Sequence, residues 1–291
     1  MTAEGPDADT LDRLLATARQ AFAAAGLAEP AREARRLIGE LLGLSATALM
    51  TRGGEALAPE EAARLSEAIA RRAGGEPLHR ILGWREFYGL TFALSPETLE
   101  PRPDTEVLVD RLLPPLRATA ARKGTCRIID LGTGTGAILI ALLSQIPQAT
   151  GLATDISEGA LSMAARNARA NGLENRVETK KSDWWEKISG KYDAIVSNPP
   201  YIVSSVMSTL ERDVLDFDPH KALDGGADGL DAYRILAEGA EGHLEDEGVI
   251  GVEIGYDQRL AVTALFVERG FRLLEAVRDF GGRDRALIFA R

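Results

Sequence analysis

From Thr105 onward, short apolar runs alternate with segments of helical length, and this alternation narrows the possible folds more than any other feature of the chain. A helix over roughly 105–118 precedes a strand at Arg127 to Leu131. A helix from Ala137, a strand at Thr150 to Thr154, a helix at Ser157 to Ala170 and a strand near Arg176 to Lys180 follow. A strand at Tyr192 to Ser197, a helix at Gly229 to His243 and the buried-strand run VIGVEI, Val249 to Ile254, extend the series. Strands joined through helices of this length form βαβ units, so the pattern predicts an α/β fold with a mainly parallel sheet. The last two runs, FRLLEAV (Phe271 to Val277) and RALIFA (Arg285 to Ala290), are joined only around Gly281 and Gly282. That link is too short for a crossover, so the C-terminal end of the sheet is expected to be antiparallel.

Ahead of this region the pattern is helical. Leu11, Leu14, Leu15, Ala18 and Phe22 mark one helix face, and Ala34, Leu37, Ile38, Leu41 and Leu42 another. Pro30 and Pro59 suit first helical turns, and Gly26, Gly74 and Gly75 suit helix ends. WREFY (Trp84 to Tyr88) and LTFAL (Leu90 to Leu94) meet at Gly89 as a predicted hairpin, and Pro101 and Pro103 then stiffen the chain. The expected organisation is a helical domain over 1–83, a β-hairpin and proline-rich connector over 84–104, and an α/β domain over 105–291.

Composition excludes some functions. A net charge of −10 without a long basic run disfavours a protein whose main task is to grip a phosphate backbone, so no stable nucleic-acid partner is expected. The single cysteine, Cys126, cannot form an internal disulfide, which fits a reducing compartment. The start, MTAEGPDADT, is acidic and lacks the apolar stretch of a secretory signal. The run AILIALL, Ala137 to Leu143, is far too short to span a bilayer. A cytoplasmic protein without a membrane partner is expected.

Candidate chemistry collects at the carboxyl ends of the predicted strands. The loop DLGTGTG, Asp130 to Gly136, leaves the first strand and opens the next helix; its glycines let a ligand approach backbone N–H groups. Gly132, Gly134 and Ala137 also satisfy the G-x-G-x-x-G/A dinucleotide pattern, which leaves an NAD-type oxidoreductase open at this point. Asp155, some twenty residues on, stands where a carboxylate accepts ribose hydroxyls; its alternative role is a helix cap near Ser157. Ser182, Asp183 and Trp184 end the next strand, where Asp183 can bond an adenine amino group and Trp184 can cover the ring. Trp185 competes for that second role.

After the strand Tyr192 to Ser197 comes NPPY, Asn198 to Tyr201, on the same rim. An asparagine and two prolines alone mark a loop. The combination offers more: the Asn198 side-chain carbonyl and the Pro199 main-chain carbonyl can accept both N–H bonds of a planar NH₂ group, with Tyr201 as a face to rest on. An amide or aromatic amine is a poor nucleophile because its lone pair is delocalised. Accepting its N–H bonds favours charge on nitrogen, and alignment with an activated methyl supplies much of the rest. None of the three histidines lies in these motifs.

With these residues in view, the chain resembles the Rossmann-like class I methyltransferases that methylate planar nitrogens. Within them it resembles the bacterial release factor glutamine methyltransferases (the PrmC/HemK family). The ordered set that carries this is a helical N-terminal domain, PRPDTE (Pro101 to Glu106), DLGTGTG, SDW (Ser182 to Trp184), NPPY and ALDGGADGL (Ala222 to Leu230). The resemblance runs from about Leu11 to Arg291 and implies S-adenosylmethionine as cofactor. It implies Gly132, Thr133, Gly134, Thr135, Gly136, Asp155, Asp183, Trp184 and Asn198 as cofactor-binding residues, and Asn198, Pro199, Pro200 and Tyr201 as the substrate site. Of these, Asn198, Pro199 and Tyr201 are the catalytic candidates. It further implies N5 methylation of the glutamine in the Gly-Gly-Gln loop of peptide chain release factors, with residues 1–83 as a substrate-docking domain. Glu100 departs from the apolar residue expected before Pro101. NPPY alone is shared with adenine or guanine amino-methyltransferases of DNA and RNA, which the acidic charge disfavours. An NAD-dependent dehydrogenase would leave NPPY without a role, and a non-enzymatic helical adaptor would leave Gly132, Asp155 and Asn198 without one.

Overall fold

The computed structural model describes residues 9–291, and the chain forms two compact units that divide between Gly83 and Trp84. The acidic N-terminal stretch over 1–8 lies outside the described residues. The first unit is helical: α1 (Leu11–Ala24), α2 (Pro30–Leu42), α3 (Ala46–Thr51), α4 (Pro59–Ala73) and α5 (Leu78–Leu82). Thr10 and Ser45 cap α1 and α3 through their hydroxyls, and Pro30 and Pro59 open α2 and α4, where no N–H is needed. Leu11, Leu14, Ala18 and Phe22 of α1 and Leu37 and Ile38 of α2, members of the periodic faces read from sequence, join Leu65 and Ile69 of α4 in one buried cluster.

The second unit opens with a hairpin of β1 (Trp84–Phe87) and β2 (Leu90–Ala93). Its turn residues Tyr88 and Gly89 have φ of 53° and 71°, the left-handed pair that suits the twist of a two-residue hairpin. Phe87 and Phe92 meet edge to face at 6.1 Å and are buried in the core of this unit. The buried Asn167 amide accepts from the Ala93 N–H at 2.8 Å and donates to its carbonyl at 3.1 Å. The hairpin is therefore built into the core of the second unit.

Beyond it come α6 (Glu106–Lys123), β3 (Cys126–Leu131), α7 (Ala137–Gln145), β4 (Ala149–Asp155), α8 (Glu158–Ala170), β5 (Val177–Lys181) and β6 (Tyr192–Ser197). The chain ends with α9 (Arg212–Phe217), α10 (Asp231–His243), β7 (Leu244–Glu253), α11 (Arg259–Glu268), β8 (Arg272–Arg278) and β9 (Asp284–Ala290). The seven strands run in the order β5-β4-β3-β6-β7-β9-β8, parallel except for β9, which is antiparallel to both neighbours. This is the mainly parallel sheet with an antiparallel C-terminal strand. Helices α6 and α7 contribute to the core on one face, and α10 and α11 to the core on the other. Among the described residues no helix is long and apolar enough to cross a membrane.

The largest departures from expectation are two boundaries and one helix. Helix α6 runs on to Lys123 rather than about 118; it passes Pro114 and Pro115 because Leu112, Leu113, Leu116 and Ala120 are buried and their packing outweighs the proline penalty. Strand β7 starts at Leu244 rather than Val249, since its N-terminal part pairs with β6 at Tyr192. Helix α11 was not apparent from sequence: only Val262 and Phe266 of it are buried, too few to set a period.

The topology fixes where a ligand can sit. Strand order reverses at β3: β4 and β5 lie on one side of it and β6 to β9 on the other. Open parallel sheets bind ligands at the carboxyl ends of the strands flanking such a switch. Here those ends carry the glycine loop after β3 and NPPY after β6.

Candidate active site

The glycine loop owes its shape to three residues in the left-handed region, Gly132, Gly134 and Gly136, with φ of 71°, 54° and 80°. A Cβ on Gly132 or Gly134 would meet nothing within 4 Å, so these two are required by conformation and leave their backbone open to a ligand. A Cβ on Gly136 would lie 2.9 Å from Ile140 and 3.2 Å from Ala164, so this glycine lets α7 and α8 pack closely. The Thr133 hydroxyl donates to Asp130 at 2.7 Å and its N–H donates to the Thr154 carbonyl at 2.8 Å. The Thr135 carbonyl accepts from Asn167 at 2.9 Å. Burial pushes the Asp130 carboxyl up to about 7, with the nearby Asp155 charge acting in the same direction.

A cavity of about 910 Å³ opens in front of this loop. Of the sequence-predicted residues, Gly132, Gly134, Asp155, Asp183, Trp184, Asn198 and Pro200 line it. Thr133, Thr135, Gly136, Pro199 and Tyr201 are not part of its lining. The two threonines are buried under the loop, Gly136 faces α8, and Pro199 is buried beside Asn198.

Asp155 ends β4 and braces the loop while facing the cavity. One carboxylate oxygen accepts from the Gly134 N–H at 3.0 Å and the other from the Ser157 N–H at 2.9 Å. Burial raises its pKa, and these backbone bonds oppose the rise. The cap of α8 is Ser157, whose hydroxyl accepts from the Ala160 N–H, so Asp155 is not needed for that task.

The two tryptophans separate. Trp185 donates its indole N–H to the Ile235 carbonyl at 2.9 Å and stacks on His243 at 4.7 Å, whereas Trp184 is in the cavity wall. Trp184 has φ of 46°, strained for a bulky residue. Ser182 stabilises this turn by donating to the Trp184 carbonyl at 2.8 Å and accepting from the Lys187 N–H at 3.1 Å.

NPPY is held from several directions. Ser197 donates to the Leu131 carbonyl at 2.7 Å, joining the strand ends that launch the two motifs. The Gln258 amide donates to the carbonyls of Tyr201 and Gly229, both at 3.0 Å, and its oxygen accepts from the Gly255 N–H at 3.0 Å. Ile202 donates to Leu223 and accepts from Gly225, whose would-be Cβ lies 2.8 Å from the Tyr201 Cα. Only glycine fits there, which explains part of ALDGGADGL. The Tyr201 hydroxyl stands 3.5 Å from Glu253, and burial followed by that charge pushes the phenol up to about 12.

PRPDTE ties the hairpin to the rim. Arg102 pairs with Asp218 at 3.5 Å, Asp104 with Arg285 at 3.7 Å, and Thr105 donates to Glu253 at 2.5 Å. Glu106 accepts from the Tyr88 N–H at 2.8 Å. Glu100, the departure before this motif, forms an ion pair with Arg85 of β1, so the buried position carries a compensated charge in place of an apolar side chain. Sequence reasoning missed two anchors, Glu253 and Gln258. Glu253 had a signal, as the sole acid inside VIGVEI; Gln258 had none.

Residues 13–83 match the model of the PrmC N-terminal domain, and residues 104–215 match the methyltransferase small domain. The release factor glutamine methyltransferase of Agrobacterium fabrum is 54% identical over 99% of this chain and 99% of its own. The chain belongs to the release factor glutamine methyltransferase family. The family member from Rhodospirillum rubrum is 46% identical over 97% of this chain and 85% of its own. A solved methyltransferase from Pyrococcus furiosus, 20% identical, aligns over 79% of this chain and 97% of its own with a TM-score of 0.52, a likeness of fold. The release factor glutamine methyltransferase fold of this chain is thus a class I methyltransferase sheet preceded by a helical unit.

Proposed function

We propose that this enzyme transfers a methyl group from S-adenosylmethionine to the side-chain amide N5 of the glutamine in the Gly-Gly-Gln loop of peptide chain release factors. The observation that carries the reading is the adjacency of the two rims: Gly132, Gly134, Asp155 and Trp184 share one cavity with Asn198 and Pro200. Family membership supplies the substrate class.

The residues fit the cofactor. The cavity has the size of a nucleoside-bearing ligand, open glycine backbone on one side, acidic groups at Asp155 and Asp183, and an indole at Trp184. Bound there, S-adenosylmethionine supplies an activated methyl on a cationic sulfonium. Asp155 accepts the ribose hydroxyls, Asp183 the adenine amino group, and Trp184 covers the ring. Gly132 and Gly134 offer their backbone, while Thr133, Thr135 and Gly136 keep the loop in shape.

At the substrate end, the Asn198 side-chain carbonyl and the Pro199 main-chain carbonyl accept the two amide N–H bonds, and Tyr201 packs against the amide plane. These acceptors favour positive charge on the attacking nitrogen and fix its line of approach, the two effects a poor nucleophile needs. Residues 1–83 dock the protein substrate, and a cytoplasmic location follows from that substrate.

Methyl transfer from labelled S-adenosylmethionine tests the proposal, with release factor, a ribosomal protein, tRNA and DNA offered in parallel. The expected result is label on the release factor alone, lost when its glutamine is changed to glutamate. Label on tRNA or DNA would favour the amino-methyltransferase alternative.

A further inference from the structure

Behind NPPY lies a group of polar side chains that the reaction as described does not use. Its centre is Glu253, the last residue of β7, which is only 2% exposed. One carboxylate oxygen accepts from the Thr105 hydroxyl at 2.5 Å, and the other faces the Tyr201 hydroxyl at 3.5 Å. The Glu253 main-chain carbonyl accepts from the buried Tyr233 hydroxyl at 2.9 Å. A buried acid costs stability unless hydrogen bonds offset its desolvation, and this one takes its hydroxyl partners from a connector residue and from the aromatic ring of the substrate site.

We propose that Glu253 is a positioning residue for methyl transfer: its carboxylate, oriented by Thr105, holds the Tyr201 hydroxyl and so sets the pose of the ring beside Asn198. The inference rests on the function proposed above. Tyr201 has its backbone clipped by Gln258, so the ring keeps one main freedom, and its hydroxyl is the handle by which that freedom can be removed. The ionised carboxylate accepts from Thr105 and Tyr201 together. The protonated acid carries a hydrogen on one oxygen and loses one of these acceptor positions. The ring is therefore held in its working pose when Glu253 is charged.

Charged and titratable groups face Glu253 from every side. Arg285 of β9 favours the charged carboxylate, and Asp104 of the connector opposes it. Tyr201 and Tyr233 are phenols raised by burial, and Arg102 acts on Tyr201 with the same sign as Arg285. Arg285 is itself shared with Asp279 at 3.1 Å and Asp104 at 3.7 Å, which leaves burial dominant and the Glu253 carboxyl at about 7. The balance between the two poses thus lies near neutral pH.

The test has two readouts on the full-length enzyme. In the first, kcat is followed from about pH 6 to about pH 8.5 for the wild type, Glu253→Gln and Thr105→Val. Wild-type kcat should fall as pH drops through about 7, Glu253→Gln should be lower at high pH by about tenfold but lack that limb, and KM for S-adenosylmethionine should not change. Thr105→Val removes a bond that favours the charged carboxylate, so its limb should move to higher pH. In the second, the enzyme is isotope-labelled at the tyrosine Cζ, and the Tyr201 resonance, assigned through Tyr201→Phe, is titrated without substrate. It should shift with the midpoint of the kinetic limb and stop shifting in Glu253→Gln. An acid limb that survives in Glu253→Gln, or a Tyr201 resonance that titrates there as in the wild type, overturns the proposal. If Glu253→Gln does not fold, an unmoved limb in Thr105→Val overturns it equally. A wild type that leaves release factor unmethylated while its Tyr201 resonance titrates refutes the substrate and not the Glu253 coupling.

Discussion

The Ser197 hydroxyl donates a 2.7 Å hydrogen bond to the Leu131 carbonyl, and both residues are fully buried. The bond clamps the ends of β6 and β3, from which NPPY and the glycine loop depart. Ser197→Ala removes it and leaves a buried carbonyl short of a partner, at a cost of about 1–3 kcal/mol of stability. Because the two loops carry opposite reactants, kcat/KM should fall by roughly an order of magnitude while the fold survives. Urea unfolding and steady-state kinetics on the same preparation separate the two effects.

Asn198→Ala deletes one of the two acceptors for the substrate amide. The charge those acceptors stabilise develops as the N–C bond forms, so kcat should fall on the order of 10²–10³-fold. Asn198 shares the cavity with Asp155 and Trp184, but the contact it loses is to the substrate amide, so calorimetry should find cofactor affinity much less affected. A variant with full kcat would return NPPY to the status of a loop.

Asp155→Ala should weaken S-adenosylmethionine binding by roughly 1–3 kcal/mol, the scale of a lost charge-assisted hydrogen bond. The same change also frees the Gly134 and Ser157 N–H groups, so part of the loss comes from a looser glycine loop. Asp155→Asn keeps one acceptor for those groups and should lose less. Equal calorimetric affinity for wild type and Asp155→Ala would remove Asp155 from the cofactor site. Gly134→Val should do more damage than either, since φ of 54° strains a β-branched residue.

Both ends of the 202–228 excursion converge on the Gln258 side chain. Gln258→Leu keeps the volume but leaves the Tyr201 and Gly229 carbonyls and the Gly255 N–H without this partner. Stability should drop by about 2–4 kcal/mol, and NPPY should lose its fixed position. The distinguishing sign is a larger loss in kcat than in cofactor affinity, measured by kinetics and calorimetry together.

These cases mark what a sequence can convey. The strand Tyr192–Ser197 was legible to the residue because the buried apolar run Ala194 to Val196 stands at its centre and turn residues follow Ser197. The antiparallel end was legible because a link as short as 279–283 admits no crossover. Gln258 was invisible because its role depends on long-range convergence: Tyr201 and Gly229 are brought to it by the fold, and a lone glutamine in the run GYDQ carries no periodic signature. The separate tasks of the loop glycines were likewise hidden, since the close approach of Gly136 to Ala164 exists only once α7 and α8 are packed.

Asp130 supplies a test of the buried electrostatics that needs no substrate. Its carboxyl is raised from 3.8 to about 7, chiefly by burial. Between those values the folded chain keeps a proton that the unfolded chain has released, so stability falls as pH rises through the window. Below about pH 4 both states are protonated, and above about 7 both are charged, so the penalty is absent at one end and constant at the other. Asp130→Asn cannot ionise, yet its side-chain oxygen can still accept from Thr133. Relative to the variant, the wild type should therefore lose stability from about pH 4 to about pH 7, with a slope of about 1.4 kcal/mol per pH step of one. Glu253 contributes a slope of the same sign, present in both proteins, and cancels in the difference. Urea unfolding of the pair across this range gives the result directly, and parallel curves would mean that Asp130 is charged at neutral pH in the folded chain with no net cost.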